Sequence, residues 1–247
     1  MINIKKIILT MLVITFLFIG LKSSAYGFGL VNNDNYRPNA AKYGKLIEEY
    51  DGVYIGPDDN SLYLTFDCGY ENGYTMDILD TLKKTNTKAL FFITGHYLNS
   101  VPDIVQRMID DGHIIGNHTY SHKDFTASSN EYIINDLKKL ETEFYNKFNV
   151  EMSKYVRPPR GEFDDRSLKL LNENGYKSVF WSLAYVDWDK DKFNGNNYSY
   201  NQVMKKVHSG AIILMHTVSK DNKVDLELII DTLKNKGYVF KSIDNVL

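Results

Sequence analysis

From Leu62 onward the chain alternates short apolar runs with amphipathic stretches of helical period, and this beat constrains the fold more than any other feature. Leu62, Leu64 and Phe66 alternate with Tyr63, Thr65 and Asp67, as a strand requires. Thr75 then caps a helix whose apolar face is Ile78, Leu79 and Leu82. Ala89 to Ile93 reads as a buried strand, and Pro102 opens a helix with Ile104, Val105, Met108 and Ile109 inward and Gly112 at its C-cap. Ile114 and Ile115 make a short strand. Ser128 with Glu131 forms a capping box for a long helix carrying Ile133, Leu137, Leu140 and Phe144. Strands follow at Tyr155–Val156, at 178–181 and at 211–215, each separated by a helical stretch. A last helix buries Leu226, Ile229, Ile230 and Leu233, ends at Gly237 and leads into Tyr238, Val239 and Phe240.

Seven strands with helices between most of them predict an α/β fold with a parallel sheet. The strands are nearly continuous in apolar residues, so both faces are covered. Closed into a (β/α)7 barrel, such a sheet gathers its chemistry at the C-terminal ends of the strands. Asp67, Arg157 and His216 sit at or just beyond such ends, and His118 follows another. An open doubly wound sheet is the other arrangement, but the stretch after the first strand, Gly69-Tyr70-Glu71-Asn72-Gly73, lacks the glycine spacing of a nucleotide-binding loop.

With 247 residues the chain can bury a full core, and a formal net charge of −2 offers no basic stripe for nucleic acid. Lys5 and Lys6, the apolar run from Ile7 to Leu21, and Ser23-Ser24-Ala25 together read as a secretory signal spanning residues 1–25, too short for a stable span. Residues 26–60, rich in Asn, Asp, Gly and Tyr, read as an N-terminal extension before the main domain at 61–247. The lone Cys68 excludes an internal disulfide.

His118 and His122, four apart, can share one side of a helical turn and offer two imidazoles to a divalent metal. Alone, such a pair is weak. Its company is what counts: Thr65-Phe66-Asp67-Cys68-Gly69, His118 to His122, Arg157-Pro158-Pro159-Arg160-Gly161, Val186-Asp187-Trp188 and Leu214-Met215-His216 resemble, in order, the five motifs of the NodB-type polysaccharide deacetylases. The likeness covers about residues 61–247. Gly69 to Tyr74, Arg160 and His216 to Asn222 are closer still to the branch that forms muramic δ-lactam in the spore cortex of bacteria.

The resemblance implies a distorted β/α barrel and amide hydrolysis. In it, Asp67 would be the general base and Arg157 the cation that keeps it ionised. His216 would be the general acid and Asp187 the partner of its imidazole. A divalent metal, zinc by ligand type, would be held by His118 and His122, lowering the pKa of a bound water. Trp188 and Tyr70 would wall the sugar site, and backbone N–H groups around Arg160 and Gly161 would meet the oxyanion. Peptidoglycan glycan strands are the implied partner, with the protein a secreted monomer acting at the cell wall or between the forespore membranes.

Two departures stand out. Cys68 replaces the second aspartate that most members carry as a metal ligand. It reads either as a thiolate ligand, which suits zinc, or as a small buried filler. Arg160 stands where tyrosine is usual. A guanidinium there suits the lactyl carboxylate of stem-free muramic acid, which N-acetylglucosamine lacks. Two alternatives remain open: a broader N-acetylglucosamine deacetylase acting on peptidoglycan or chitooligosaccharides, and a non-catalytic glycan-binding pseudoenzyme.

Overall fold

The computed structural model of the chain describes residues 26–29 and 34–246. The expected secretory signal, residues 1–25, lies outside them. The first elements are β1 (Tyr26–Gly27) and α1 (Ala41–Glu49). Next come β2 (Ser61–Cys68), α2 (Thr75–Lys84), β3 (Leu90–Ile93), α3 (Gly95–Ser100), α4 (Pro102–Asp110) and β4 (Ile114–Asn117). Then follow α5 (Asn130–Phe148), β5 (Tyr155–Val156), β6 (Glu162–Phe163), α6 (Asp165–Glu173) and β7 (Lys177–Ser178). The chain closes with α7 (Tyr198–Lys206), β8 (Ile212–His216), α8 (Lys220–Asn235) and β9 (Val239–Phe240).

The main sheet runs β7-β5-β4-β3-β2-β8, with β9 beside the start of β2, and every ladder within it is parallel. Beyond β7 the chain reaches the opposite edge. Leu183 bridges Ile213 in parallel, and the Leu214 N–H donates to the Leu183 carbonyl at 2.9 Å. The sheet is therefore curled into the distorted barrel that the β/α beat predicts. Residues 53–55 take part in its wall, Val53 pairing with Val179 and Ile55 with Ala211.

Side chains alternate across each strand, and that alternation sorts them into two cores. On β2, Leu62, Leu64, Phe66 and Cys68 face the helices and pack with Ile78, Leu79, Leu82 and Leu226. Tyr63 faces inward and packs with Leu90, Phe92, Val179 and Ile212. Truncating a fully buried leucine such as Leu79 or Leu226 to alanine costs about 2–5 kcal/mol.

Two local expectations are corrected. Thr75 lies at the first helical position of α2, with Tyr74 at the N-cap; the Thr75 hydroxyl bonds to Glu71 instead. The N-cap of α5 is Ser129, whose Oγ accepts from the Tyr132 N–H at 3.2 Å, while the Ser128 hydroxyl donates to the Asp124 carbonyl. The adjacent serines made the register ambiguous, and the extended backbone falls at the second. Helix α3 and the antiparallel pair β1–β6 are too short to show a period.

Candidate active site

Asp67 is the penultimate residue of β2 and His216 ends β8, and the two are register partners on adjacent parallel strands. Partners in a ladder share a face, so both side chains emerge at the same mouth of the barrel. Asp67 is only 6% exposed, while the His216 side chain keeps 21% of its surface open.

Arg157 follows β5 and is fully buried. Its Nη1 donates to Asp67 Oδ1 at 2.8 Å, its Nε to the Val179 carbonyl at 3.0 Å, and its Nη2 to Thr65 Oγ1 at 2.9 Å and the Phe180 carbonyl at 3.1 Å. The guanidinium lies 4.3 Å over the Phe92 ring. Each N–H fork has a fixed acceptor, so the cation cannot swing away from the carboxylate. Burial pushes the Asp67 pKa up, but the charges of Arg157, His118 and His216 outweigh it, and the carboxyl is held below its ordinary value.

His216 has a partner of its own. Its Nδ1 meets Asp187 Oδ1 at 2.7 Å, and its backbone N–H donates to Asp187 Oδ2 at 2.8 Å. Burial pulls the imidazolium down, yet the charge and hydrogen bond of Asp187, with the charge of Asp67, raise the pKa above its usual value. With Nδ1 engaged, Nε2 is the nitrogen left for the mouth. The site thus sets a carboxylate biased toward ionisation beside an imidazole biased toward protonation, each oriented by a buried partner.

His118 and His122 come together after β4 with ring centroids 4.8 Å apart, but on a loop and not on a helical turn. Thr119 and His122 both adopt positive φ, which folds the chain back on itself. Arg157's carbonyl accepts from His118 Nδ1 at 2.9 Å, leaving Nε2 facing Asp67 Oδ2 at 3.5 Å. Burial lowers both histidine pKa values, that of His122 to about 4, which favours the neutral form of each imidazole. Neutral imidazoles suit a divalent cation, but a complete protein site is missing: among the described residues no group of three or more His, Cys, Asp or Glu is placed to hold a metal.

Cys68 does not supply the third ligand. It is the residue after Asp67 on β2, so its side chain points the other way, into the helical core. Its Sγ accepts from the Thr217 hydroxyl at 3.5 Å, and burial pushes the thiol pKa far up. The filler reading fits; the thiolate reading does not.

Arg160 stands on the rim at φ 57°, its side chain 58% exposed, with Nη2 3.2 Å from Glu162 Oε2 and 3.6 Å from Asp124 Oδ2. Gly161 is buried against Phe28 and Trp181. Its N–H donates to the Pro158 carbonyl and its carbonyl accepts from the Phe28 N–H, so the expected oxyanion donor is already engaged. At φ 68°, with a Cβ only 2.6 Å from Trp181, this position requires glycine. Trp188 is 58% exposed with its ring 6.1 Å from that of His216, and Tyr70, 40% exposed, faces His96 at 6.4 Å.

Thr65 and Asn222, to which the sequence assigns no role, also bond within the site. Thr65 Oγ1 accepts from Arg157 and donates to the Ile213 carbonyl at 2.8 Å; Asn222 donates to Asp187 at 2.6 Å. Both lie in stretches that carry the family resemblance, but the role of neither is legible locally, because their partners lie on other elements.

Comparison with known proteins bears on the family and the fold. A family model described as polysaccharide deacetylase matches residues 55–179. The peptidoglycan-N-acetylmuramic acid deacetylase PdaA of Bacillus subtilis is 43% identical over 223 residues, 89% of this chain and 85% of that protein. The solved structure of B. subtilis PdaA, a family 4 carbohydrate esterase, superposes with a TM-score of 0.87 over 90% of this chain and 97% of that one, at 43% identity. A peptidoglycan-N-acetylglucosamine deacetylase of Bacillus cereus is 35% identical over 205 residues, 81% of this chain and 73% of that protein.

Proposed function

The chain belongs to the polysaccharide deacetylase family, and from that premise we propose that it hydrolyses the N-acetyl group of muramic acid residues in peptidoglycan whose peptide stem has been removed. The observation that carries the reading is the shared mouth of Asp67 and His216, each with its own buried counter-charge. Binding alone needs neither pair, which favours catalysis over a glycan-binding pseudoenzyme.

Asp67 takes a proton from a water as its oxygen bonds to the acetyl carbon. The tetrahedral intermediate then collapses, the C–N bond breaks, and His216 Nε2 gives the departing nitrogen its proton. Acetate and a free amine result. Arg157 keeps Asp67 ionised at the start, and Asp187 keeps His216 charged until transfer. Deacetylases of this family are generally metal-dependent. The described residues of this chain offer two imidazoles and no third ligand, so no step is assigned to a metal.

Support for muramic acid comes from Arg160 and from the muramic acid deacetylase among the relatives. The guanidinium is exposed on the rim, and its charge is felt at His122, beside the catalytic carboxylate. A lactyl carboxylate competing with Glu162 and Asp124 would gain a bidentate partner, and an N-acetylglucosamine residue would not. The freed amine then lies close to that carboxylate on the same sugar, so closure to the δ-lactam of spore cortex is favoured by proximity. This substrate lies outside the cytoplasmic membrane, consistent with a cleaved signal over residues 1–25. Among the described residues no helix is long and apolar enough to cross a membrane.

Mass spectrometry of stem-stripped glycan treated with the purified protein tests the reading. Free amine or lactam on muramic acid is expected. Free amine on N-acetylglucosamine alone would replace it with the broader deacetylase.

A further inference from the structure

We infer that Asn222 is a positioning residue for the proton donor, acting through Asp187; the inference rests on the reading of His216 as that donor. Asn222 is fully buried in the first turn of α8, where the N-cap Ser219 accepts its backbone N–H at 3.2 Å. Its amide Nδ2 divides two hydrogens between Asp187 Oδ2 at 2.6 Å and the His216 carbonyl at 3.0 Å. Its Oδ1 accepts from the hydroxyls of Tyr185 and Ser199, both at 2.7 Å.

Every polar atom of the side chain is therefore engaged, and the engagement has a direction. Turning the amide over would set Oδ1 against the Asp187 carboxylate, so the two hydroxyls hold Nδ2 toward it. With Oδ2 fixed by Asn222 and the His216 N–H, the carboxylate can rotate only by breaking two charge-assisted bonds. Oδ1 is thereby aimed at His216 Nδ1, and Nε2 is aimed at the mouth. Asn222 reaches no substrate. It sets the angle from which another residue delivers a proton.

Acetate release from stem-stripped glycan by Asn222→Asp and Asn222→Ser tests the inference. Each is expected to lower kcat about 10- to 100-fold, less than the roughly 10²- to 10⁴-fold lost with a general acid itself, with KM changed less than about threefold. In an Asp187→Asn background the same substitutions should cost less than about threefold more, because the two residues act as one unit. Nitrogen NMR of labelled histidine should show the hydrogen-bonded Nδ1 proton of His216 shifted in either variant. In the unaltered protein, which needs no variant to fold, the Asn222 side-chain amide protons should exchange slowly with water. Wild-type turnover in a folded variant, losses that multiply with Asp187→Asn, an unmoved Nδ1 signal, or fast exchange of the amide overturns the inference. If Asp187→Asn and His216→Ala themselves turn over at wild-type rates, the donor assignment fails instead, and the two failures are separable.

Discussion

Asp67 and Arg157 form a buried ion pair, 2.8 Å from Oδ1 to Nη1, that joins the ends of β2 and β5 inside the barrel mouth. One contact serves both fold and chemistry. It keeps the carboxylate ionised, and it satisfies a guanidinium that has no access to solvent.

Asp67→Asn is therefore expected to do two things at once. Turnover should fall about 10²- to 10⁴-fold through loss of the base. Stability should fall by about 3–5 kcal/mol, because Arg157 is left as an uncompensated buried charge. Acetate release and denaturant unfolding of the same preparation check both.

The activity profile should be bell-shaped in pH. Asp67 is held below its ordinary value of 3.8, so the acid limb lies below that pH. His216 is raised above 6.5 and donates only while protonated, so the alkaline limb lies above 6.5. In Asp187→Asn the raising charge is gone and burial prevails; residual activity should lose its alkaline side at lower pH. Profiles of kcat/KM for both proteins measure the shift, and a limb that stays in place contradicts the assignment.

Cys68→Ala should leave turnover and metal content of the folded protein unchanged and cost about 1 kcal/mol through the small void left in the core. Metal analysis and thermal unfolding read this directly. A thiol reagent should label the wild type only after unfolding, since the thiol is buried and its pKa raised.

Arg160→Ala should raise KM for stem-free glycan about tenfold, the worth of one charge-assisted contact, with kcat within about threefold. The exposed side chain contributes little to stability, so unfolding should move by less than about 0.5 kcal/mol. Unchanged KM would remove Arg160 from substrate selection.

The barrel was legible because the apolar runs containing Phe66, Phe92 and Ile213 are of strand length and are separated by amphipathic helical stretches. The mouth was legible because Asp67, Arg157 and His216 each close or follow such a run. The facing of Cys68 was in the sequence too: if Asp67 points into the barrel, a period of two sends its neighbour outward, and the metal expectation overlooked this. The loop carrying His118 and His122 was misjudged because spacing alone does not reveal the positive φ at Thr119 and His122. Thr65 and Asn222 stand in the matching motif stretches, but nothing there tells what they bond to. A hydrogen-bond partner drawn from another element is defined only once the sheet and helices are packed.

Hydrolysis of two acyl groups by the His216→Ala variant tests the central claim most directly, because an amide needs its leaving nitrogen protonated and 4-nitrophenyl acetate does not. The variant should lose about 10²- to 10⁴-fold on stem-stripped glycan yet stay within about tenfold of wild type on the ester, while Asp67→Asn loses both. Glycan deacetylation by His216→Ala at the wild-type rate, or equal loss on the two substrates, would contradict an acid and a base facing one scissile bond.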